Sequence, residues 1–468
     1  MRIYTTELIV PKRELELAGL SALRDYYFQK LRGMLPEFHR VVRFVVTKTD
    51  SRNMYCEADV LVAESAHEFD SYVKYSSNDT VFDFRKRNHE NTEKFTAALL
   101  IPTGIGAEIG GHSGDGNPVA RLLASACDRL ITHPNVVNAA DINEMTENTL
   151  YVEGSILTRL FMGRNGLQPV RSNRLLLLMD THTSKELNDF VVNAVSSARV
   201  TLGVDCDVLE MHNPIEASSS RSASGRATGE VTGVERLFKL IQQYHSEYDA
   251  IALSTAITDK EDHSNEYFAT NSDDVVNPWG GVEAMLTHST AEIFNVPCAH
   301  APFESTDAES FIRFGVVDPR KAPEMLSDTE LHCVLKGLHH TPRIVGPLSG
   351  VTLEDISALV IPDGCIGLPT LAALENDIPV IAVRGNKNLM RNNLKALPFK
   401  KGKLFIVENY LEAAGVMVAL RAGVSLEAVQ RPIPYTRHIH ETMPIASKRI
   451  LATKNKKSTA GRSLAART

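Results

Sequence analysis

KFTAALLIPTGIGAEIGGHSGDGNPVARLLASACDRLITHPNVVNAAD, Lys94 to Asp141, carries the reading that decides the fold class. A short apolar run enters a glycine-rich turn, a helix-spaced segment follows, and a second apolar run stops at a polar turn. The same order returns in RLLLLMDTHTSKELNDFVVNAVSSARV (174–200), in YDAIALSTAI (248–257) with GGVEAMLTHSTAEIFNVPCAHAP (280–302), and in SALVIPDGCIGLPTLAALENDIPVIAV (357–383). Short buried strands alternating with helices imply parallel sheets covered on both faces. In such sheets, ligands gather where strand C-termini meet the following turns. The last two segments share one layout, which either an internal duplication or generic βαβ grammar explains.

Working outward, residues 1–95 show strand patterns in MRIYTTELIVP, HRVVRFVVTKTD and CEADVLVAE around one helical stretch. They predict a small α+β domain with a packing, lid or dimerisation role. ASSSRSASGRATGEVT (217–232) is rich in Ser, Gly and Arg, and predicts a mobile loop or linker. The expected architecture is α/β and two-lobed, with mainly parallel sheets covered by helices. Its parts are the domain at 1–95, a lobe at 96–216 carrying the glycine loop, the linker, a second lobe at 233–447, and a basic disordered tail at 448–468.

At 468 residues with 43% hydrophobic and 23% charged residues, the chain is ordinary globular material for more than one core. The net charge of −7 points to neither nucleic acid nor an anionic membrane as partner. No run is apolar enough to span a membrane, and the N-terminus has no signal-peptide pattern. The six scattered cysteines form no CxxC pair and read as reduced thiols, so the expected compartment is the cytoplasm. A homo-oligomer is the base-rate expectation.

Five segments can carry chemistry. In PTGIGAEIGGHSGDGN (102–117), six glycines let a ligand approach main-chain N–H groups. Thr103, Gly104, Gly106, Gly110, Gly111, His112 and Asp115 are its binding candidates, against a purely structural tight loop. There is no GK[ST] after it, and no clean dinucleotide fingerprint. RLIT delivers His133, Asn135 and Asn138 at a strand end, with Glu153 nearby in YVEGS; His133 is an acid/base candidate or a structural histidine. LLLLMDTHTSKE brings Asp180 and His182 to a similar position. Asp259, Asp262, His263 and His300, with Glu283 and His288 beside them, offer oxygen and imidazole ligands for a divalent metal, though without a fixed motif. Glu283 is also a substrate-binding candidate. Trp279 reads as a packed turn. In IPDGCIG, Cys365 follows a buried strand, where a helix N-terminus would favour thiolate, with Asp363 beside it; an inert core cysteine is the other reading. Arg384 and Asn386 in RGNKN can donate to an anion.

The strings at 104–141, 277–286, 299–304 and 362–383 resemble an uncharacterised bacterial family known as a domain of unknown function. That resemblance spans about residues 96–400 and implies no activity. IPDGCIGLPTLAALENDIPVIAV is also similar to the second-cysteine segment of the aspartate/glutamate racemase superfamily, which would make Cys365 catalytic; His133 stands where a first cysteine would be. The same stretch resembles the donor-binding helix of two-domain glycosyltransferases, with Glu375 in the glutamate's place. The expected function is an enzyme acting on a small carboxylate- or phosphate-bearing metabolite by isomerisation, elimination or hydrolysis. Cys365, His133, His182 and Asp363 are the catalytic candidates. A transferase with a nucleotide or phosphate-bearing donor, and a non-catalytic metabolite sensor, are the other readings.

Overall fold

Four-residue apolar runs such as Thr96–Leu99 are too short to make helices, and each becomes a strand buried on both faces. The computed structural model describes residues 1–13, 19–73, 80–181, 185–259, 263–269, 276–303, 314–326 and 330–439. One sheet has six strands, all parallel, in the order Leu404–Val407, Val380–Val383, Ile356–Pro362, Thr96–Leu99, Arg129–Thr132, Thr149–Tyr151. Adjacent parallel strands end at one edge. The C-termini of four of them therefore deliver the glycine loop, His133, Glu153 and the Asp363–Gly367 turn to a common side.

The second sheet has ten strands and is mixed. Asp205–Met211, Arg174–Asp180, Ala250–Asp259 and Cys298–Phe303 pair in parallel. Glu216–Arg221 joins Ala250–Asp259, and an antiparallel series then runs through Ala227–Thr232, Arg2–Pro11, Asn53–Val62 and His39–Thr49 to Ile366–Gly367. The α/β class holds, with one wholly parallel sheet.

Strand pairing crosses the boundaries drawn from sequence. Arg2–Pro11 from the N-terminal segment pairs with Ala227–Thr232, and segments 96–216 and 233–447 each place strands in both sheets. The stretch 217–232 is a β-hairpin, not a loop. Its low hydropathy concealed this because what it buries is polar. Arg226 is fully buried, its Nε donating to Glu57 at 2.6 Å and its Nη2 to Asp59 at 3.3 Å. The unit spanning Met1–Val424 holds both sheets. From Ser425 a second unit begins, described as far as residue 439, with a short helix at Leu426–Val429. The basic tail lies outside the described residues.

Against the second sheet packs the helix Gly280–Phe294, buried on almost every side. Asn277 Oδ1 accepts from the Trp279 and Gly280 N–H groups at its start. Trp279 is buried against Tyr267 and Phe268, the packed turn expected of it.

Candidate active site

The converging turns enclose a cavity of about 190 Å³, room for a small metabolite. Twelve of the residues singled out from sequence line it: Thr103, Gly104, Gly111, His112, His133, Asn135, Asn138, Glu153, Glu283, His288, His300 and Cys365. Gly106, Gly110, Asp115, Asp363, Arg384, Asn386 and Asp259 do not. His182 and Asp262 lie outside the described residues. His263 opens a short helix, but its side chain is outside the description. The strand carrying Asp180 belongs to the other sheet from the strand before His133, so those two strand ends are not neighbours on one sheet edge.

Several of these residues hold the loop instead of facing a ligand. His133 Nε2 accepts from the Ile101 N–H at 3.1 Å. Asn135 Nδ2 donates to the Ile101 and Gly110 carbonyls, Asp115 Oδ1 accepts from Gly110 N–H, and Asn386 bonds both the N–H and the carbonyl of Ile109. The loop's N–H groups at 109 and 110 are thus consumed internally, against the expectation of an open anion cradle. Gly104 shows what the glycines are for. Its φ is +78°, its carbonyl accepts from Ala227 N–H at 2.8 Å, and a Cβ there would stand 2.8 Å from the Ala227 carbonyl oxygen. The loop is glycine-rich so that it can pack on the hairpin. Burial, with His288 and Arg43 nearby, pushes the His133 pKa down to about 3, so it is neutral imidazole with Nε2 already engaged.

Cys365 departs from expectation in its chemistry. A two-residue strand, Ile366–Gly367, separates it from the helix Leu368–Glu375, so no helix terminus acts on the thiol. Burial, with Asp363 beside it, pushes its pKa up and keeps it a thiol. Glu375, offered as a donor-binding glutamate, accepts from Leu20 N–H at 3.2 Å, at the start of the helix Gly19–Gln29. Arg384 is exposed and paired with Glu408, and Asp363 accepts from Gly364 N–H. Among the described residues no three His, Cys, Asp or Glu side chains converge to ligate a metal, so the proposed metal set is not assembled from its described members.

Sequence reading named Glu153, Glu283 and His288 without bringing them together, and passed over Thr287 and Glu292 at the same cavity wall. One face of the helix Gly280–Phe294 lines it through Gly280, Glu283, Ala284, Thr287, His288 and Glu292, the spacing of a single helical stripe. Glu153 follows the strand Thr149–Tyr151 and caps the helix Gly154–Phe161. Its Oε2 accepts from the Ser155 and Ile156 N–H groups and the Ser155 hydroxyl. That fixes Oε1, which stands 3.1 Å from His288 Nε2. His288 Nδ1 is buried and has no hydrogen-bond partner among the described residues. Burial, opposed by Glu153 and reinforced by Arg43, holds the His288 pKa below its usual value. The ring is therefore neutral near pH 7, with its Nε2 proton on Glu153 and a lone pair on Nδ1.

Further along the helix, three guanidinium groups share one carboxylate. Arg40 donates to Glu292 Oε1 at 2.5 Å, Arg164 lies 3.5 Å from the same oxygen, and Arg159 Nε is 3.7 Å from Oε2. Arg159 also donates to Asn295 Oδ1 and the Ala291 carbonyl. Burial would raise the Glu292 pKa, but the three cations outweigh it and hold it below the usual carboxylate range.

A family described as protein of unknown function (DUF3326) matches residues 96–430. The chain belongs to the DUF3326 family. The family match covers every strand of the six-stranded sheet and the cavity-lining helix, and leaves the N-terminal strands, including the one carrying Arg43, outside it. The chain is also similar to an uncharacterized lipoprotein of Synechococcus sp. (strain ATCC 27144 / PCC 6301 / SAUG 1402/1). The two are 32% identical over 354 residues, 73% of this chain and 96% of that protein. No solved structure matches the chain.

Proposed function

We propose that this DUF3326 protein is an enzyme that acts on a small polar or anionic metabolite by proton transfer. The observation that carries the reading is the Glu153–His288 pair on the cavity wall. A carboxylate fixed by a helix cap orients a neutral imidazole whose other nitrogen has no partner among the described residues, which is the equipment of a general base. The Arg159 and Arg164 guanidinium groups supply a counter-charge for a substrate carboxylate or phosphate. His133 and Cys365 become positioning and packing residues in this reading, and the proton passes to His288 Nδ1.

Incubation with a panel of small hydroxy-, keto- and amino-carboxylates in D2O, followed by proton NMR, tests it. Exchange of a carbon-bound proton is expected in at least one. His288→Gln should cut the rate by ~100-fold or more at an unchanged melting temperature. Because the His288 pKa is lowered, the base form persists as pH falls through the ordinary histidine range, so exchange should hold at pH 6.5 and fail only below it. Binding without exchange of any panel member would replace the enzyme by a sensor.

We propose a reducing, cytoplasmic setting, supported by six buried cysteines with no disulfide. The name of the cyanobacterial relative, a lipoprotein, favours a membrane-attached site for that protein. Recovery of this chain in the membrane fraction of cells would overturn the cytoplasmic setting.

A further inference from the structure

We propose that His300 is a second proton-transfer group in the cavity, and that with His288 it inverts a stereocentre beside a carboxylate, one ring taking a proton from one face and the other returning a proton to the opposite face. This rests on the proton-transfer reading above and specifies its reaction as racemisation or epimerisation.

The two imidazoles are equipped alike. His288 has its Nε2 3.1 Å from Glu153 Oε1, and its Nδ1 has no hydrogen-bond partner among the described residues. His300 has its Nε2 2.8 Å from the Thr255 hydroxyl, and its Nδ1, also without such a partner, stands 3.8 Å from Glu283 Oε2. In each ring one nitrogen is held by a protein oxygen and the other is spare, with a carboxylate at hand when the ring carries a proton. Glu153, Glu283, His288 and His300 all line the same cavity. A buried ring nitrogen without a partner is a cost to the fold, and a ligand that uses both nitrogens accounts for two of them on one cavity.

The rings are held by different elements. Glu153 follows Thr149–Tyr151, the edge strand of the six-stranded sheet, and fixes His288 on the helix Gly280–Phe294. His300 belongs to Cys298–Phe303 of the other sheet, in register with Leu253, and Thr255 on that neighbouring strand fixes its ring. Both supports are regular structure, which positions a side chain more closely than a loop does. Glu283 and His288 mark two stations on one helix, five residues or about 7.5 Å of rise apart. Two groups that reach one carbon from opposite sides, each at about 3–3.5 Å, need about 6–7 Å between them. The stations are spaced for a single carbon between the rings.

The step balances in both directions. His288 Nδ1 takes the proton as the C–H bond breaks, and the electron pair moves into the adjacent carboxylate as an enediolate. The His300 imidazolium, with Glu283 beside it, gives its Nδ1 proton to the opposite face as the new C–H bond forms. The one extra proton starts on His300 and ends on His288, and the reverse reaction returns it. Equal equipment at two sites suits a reaction whose substrate and product are mirror forms at one carbon.

Incubation of the full chain in D2O with each enantiomer of lactate, malate, alanine and aspartate tests this, with proton NMR reading exchange and chiral chromatography reading inversion. The parent should exchange the α-proton of both enantiomers of at least one pair and interconvert them. His288→Gln should slow exchange of one enantiomer by ~100-fold or more and spare the other; His300→Gln should do the reverse, and both should abolish inversion. The exchange each variant keeps reports that it is folded. Thr255→Val retains the side chain's shape, removes the hydroxyl at Nε2, and should slow the His300-served enantiomer alone by ~10-fold; it serves should His300→Gln fail to fold. Exchange of one enantiomer only, exchange without inversion, or rates untouched by His300→Gln and Thr255→Val overturns the second group and leaves His288 as a lone base. If none of the eight compounds exchanges, both readings fall together.

Discussion

Two buried ionic clusters lie close together in this protein, and they differ in position. In the first, Arg43 and Arg226 face Glu57 and Asp59, two cations against two anions. In the second, Arg40, Arg159 and Arg164 converge on Glu292, and three of these four line the cavity where only Arg43 of the first does. A balanced cluster is complete within the protein and works as a fastener, here tying the hairpin 216–232 to the N-terminal strands. One whose members mostly line a cavity can be completed by a ligand. Position relative to the cavity thus separates a structural polar core from a candidate binding site where burial and residue type do not, since both clusters are arginine-rich and buried.

The largest expected effect is in the balanced cluster. Arg226→Met leaves Glu57 and Asp59 buried without their main cation and should destabilise the protein by ~3–5 kcal/mol, read as a lowered denaturation midpoint. Adding Glu57→Gln and Asp59→Asn should recover much of that loss. A mild single variant would show that water reaches this cluster and that it fastens nothing.

Glu292→Gln removes the carboxylate the three arginines share and should cost ~2–4 kcal/mol. It should respond to solutes as the first variant does not. Acetate or sulfate added to tens of millimolar should restore Glu292→Gln in thermal unfolding by supplying an anion to the site, and leave Arg226→Met unchanged. Rescue of both, or neither, would erase the distinction between the clusters.

The pH dependence sharpens it on a smaller scale. Asp59 and Glu292 both have folded pKa values below their ordinary ones, because flanking guanidinium groups outweigh burial. Their contribution is complete above the unfolded carboxylate range and is lost as pH falls beneath about 4 through the depressed folded values. Asp180 behaves oppositely. Burial raises it to about 7, outweighing the backbone N–H groups of Ala256 and Ile215 that favour the carboxylate. The folded state keeps a proton that the unfolded chain has released, so stability falls as pH rises from about 4 to about 7 and is level above, a change on the order of 4 kcal/mol. Asp180→Asn should flatten that slope and leave the acid limb intact. An unaltered slope would place its origin elsewhere.

How much of this was legible in the sequence follows from the same physics. The meeting of the glycine loop, His133 and the Cys365 turn at one edge was readable, because short apolar runs followed by polar turns specify parallel strands whose ends share an edge. The roles of those residues were not. Whether His133 faces a substrate or the Ile101 N–H depends on a hydrogen bond between segments 32 residues apart. The face of Gly280–Phe294 was hidden for another reason. Twelve of its fifteen residues are buried, so no polar stripe stands out against an apolar one, and His288 and Glu283 read only as scattered metal-capable side chains. Glu292 and its arginines come from separate elements, and nothing local marks them. The hairpin 217–232 was read as a loop because hydropathy cannot register burial achieved through ion pairs.

The smallest expected stability change is the most discriminating. Arg164 approaches Glu292 at 3.5 Å, longer than Arg40 does, and stands in the field of two other guanidinium groups. Its attraction to the shared carboxylate is partly cancelled by that repulsion. Arg164→Met keeps the side chain's bulk and removes the repulsion, so stability should stay within ~1 kcal/mol of the parent and can rise. Small-carboxylate binding should weaken in the same variant, because the guanidinium with the least to do for the fold has the most left for a ligand. A loss of stability as large as that of Arg226→Met would mean the third arginine is a fastener too, and its place beside the cavity would no longer argue for a bound anion.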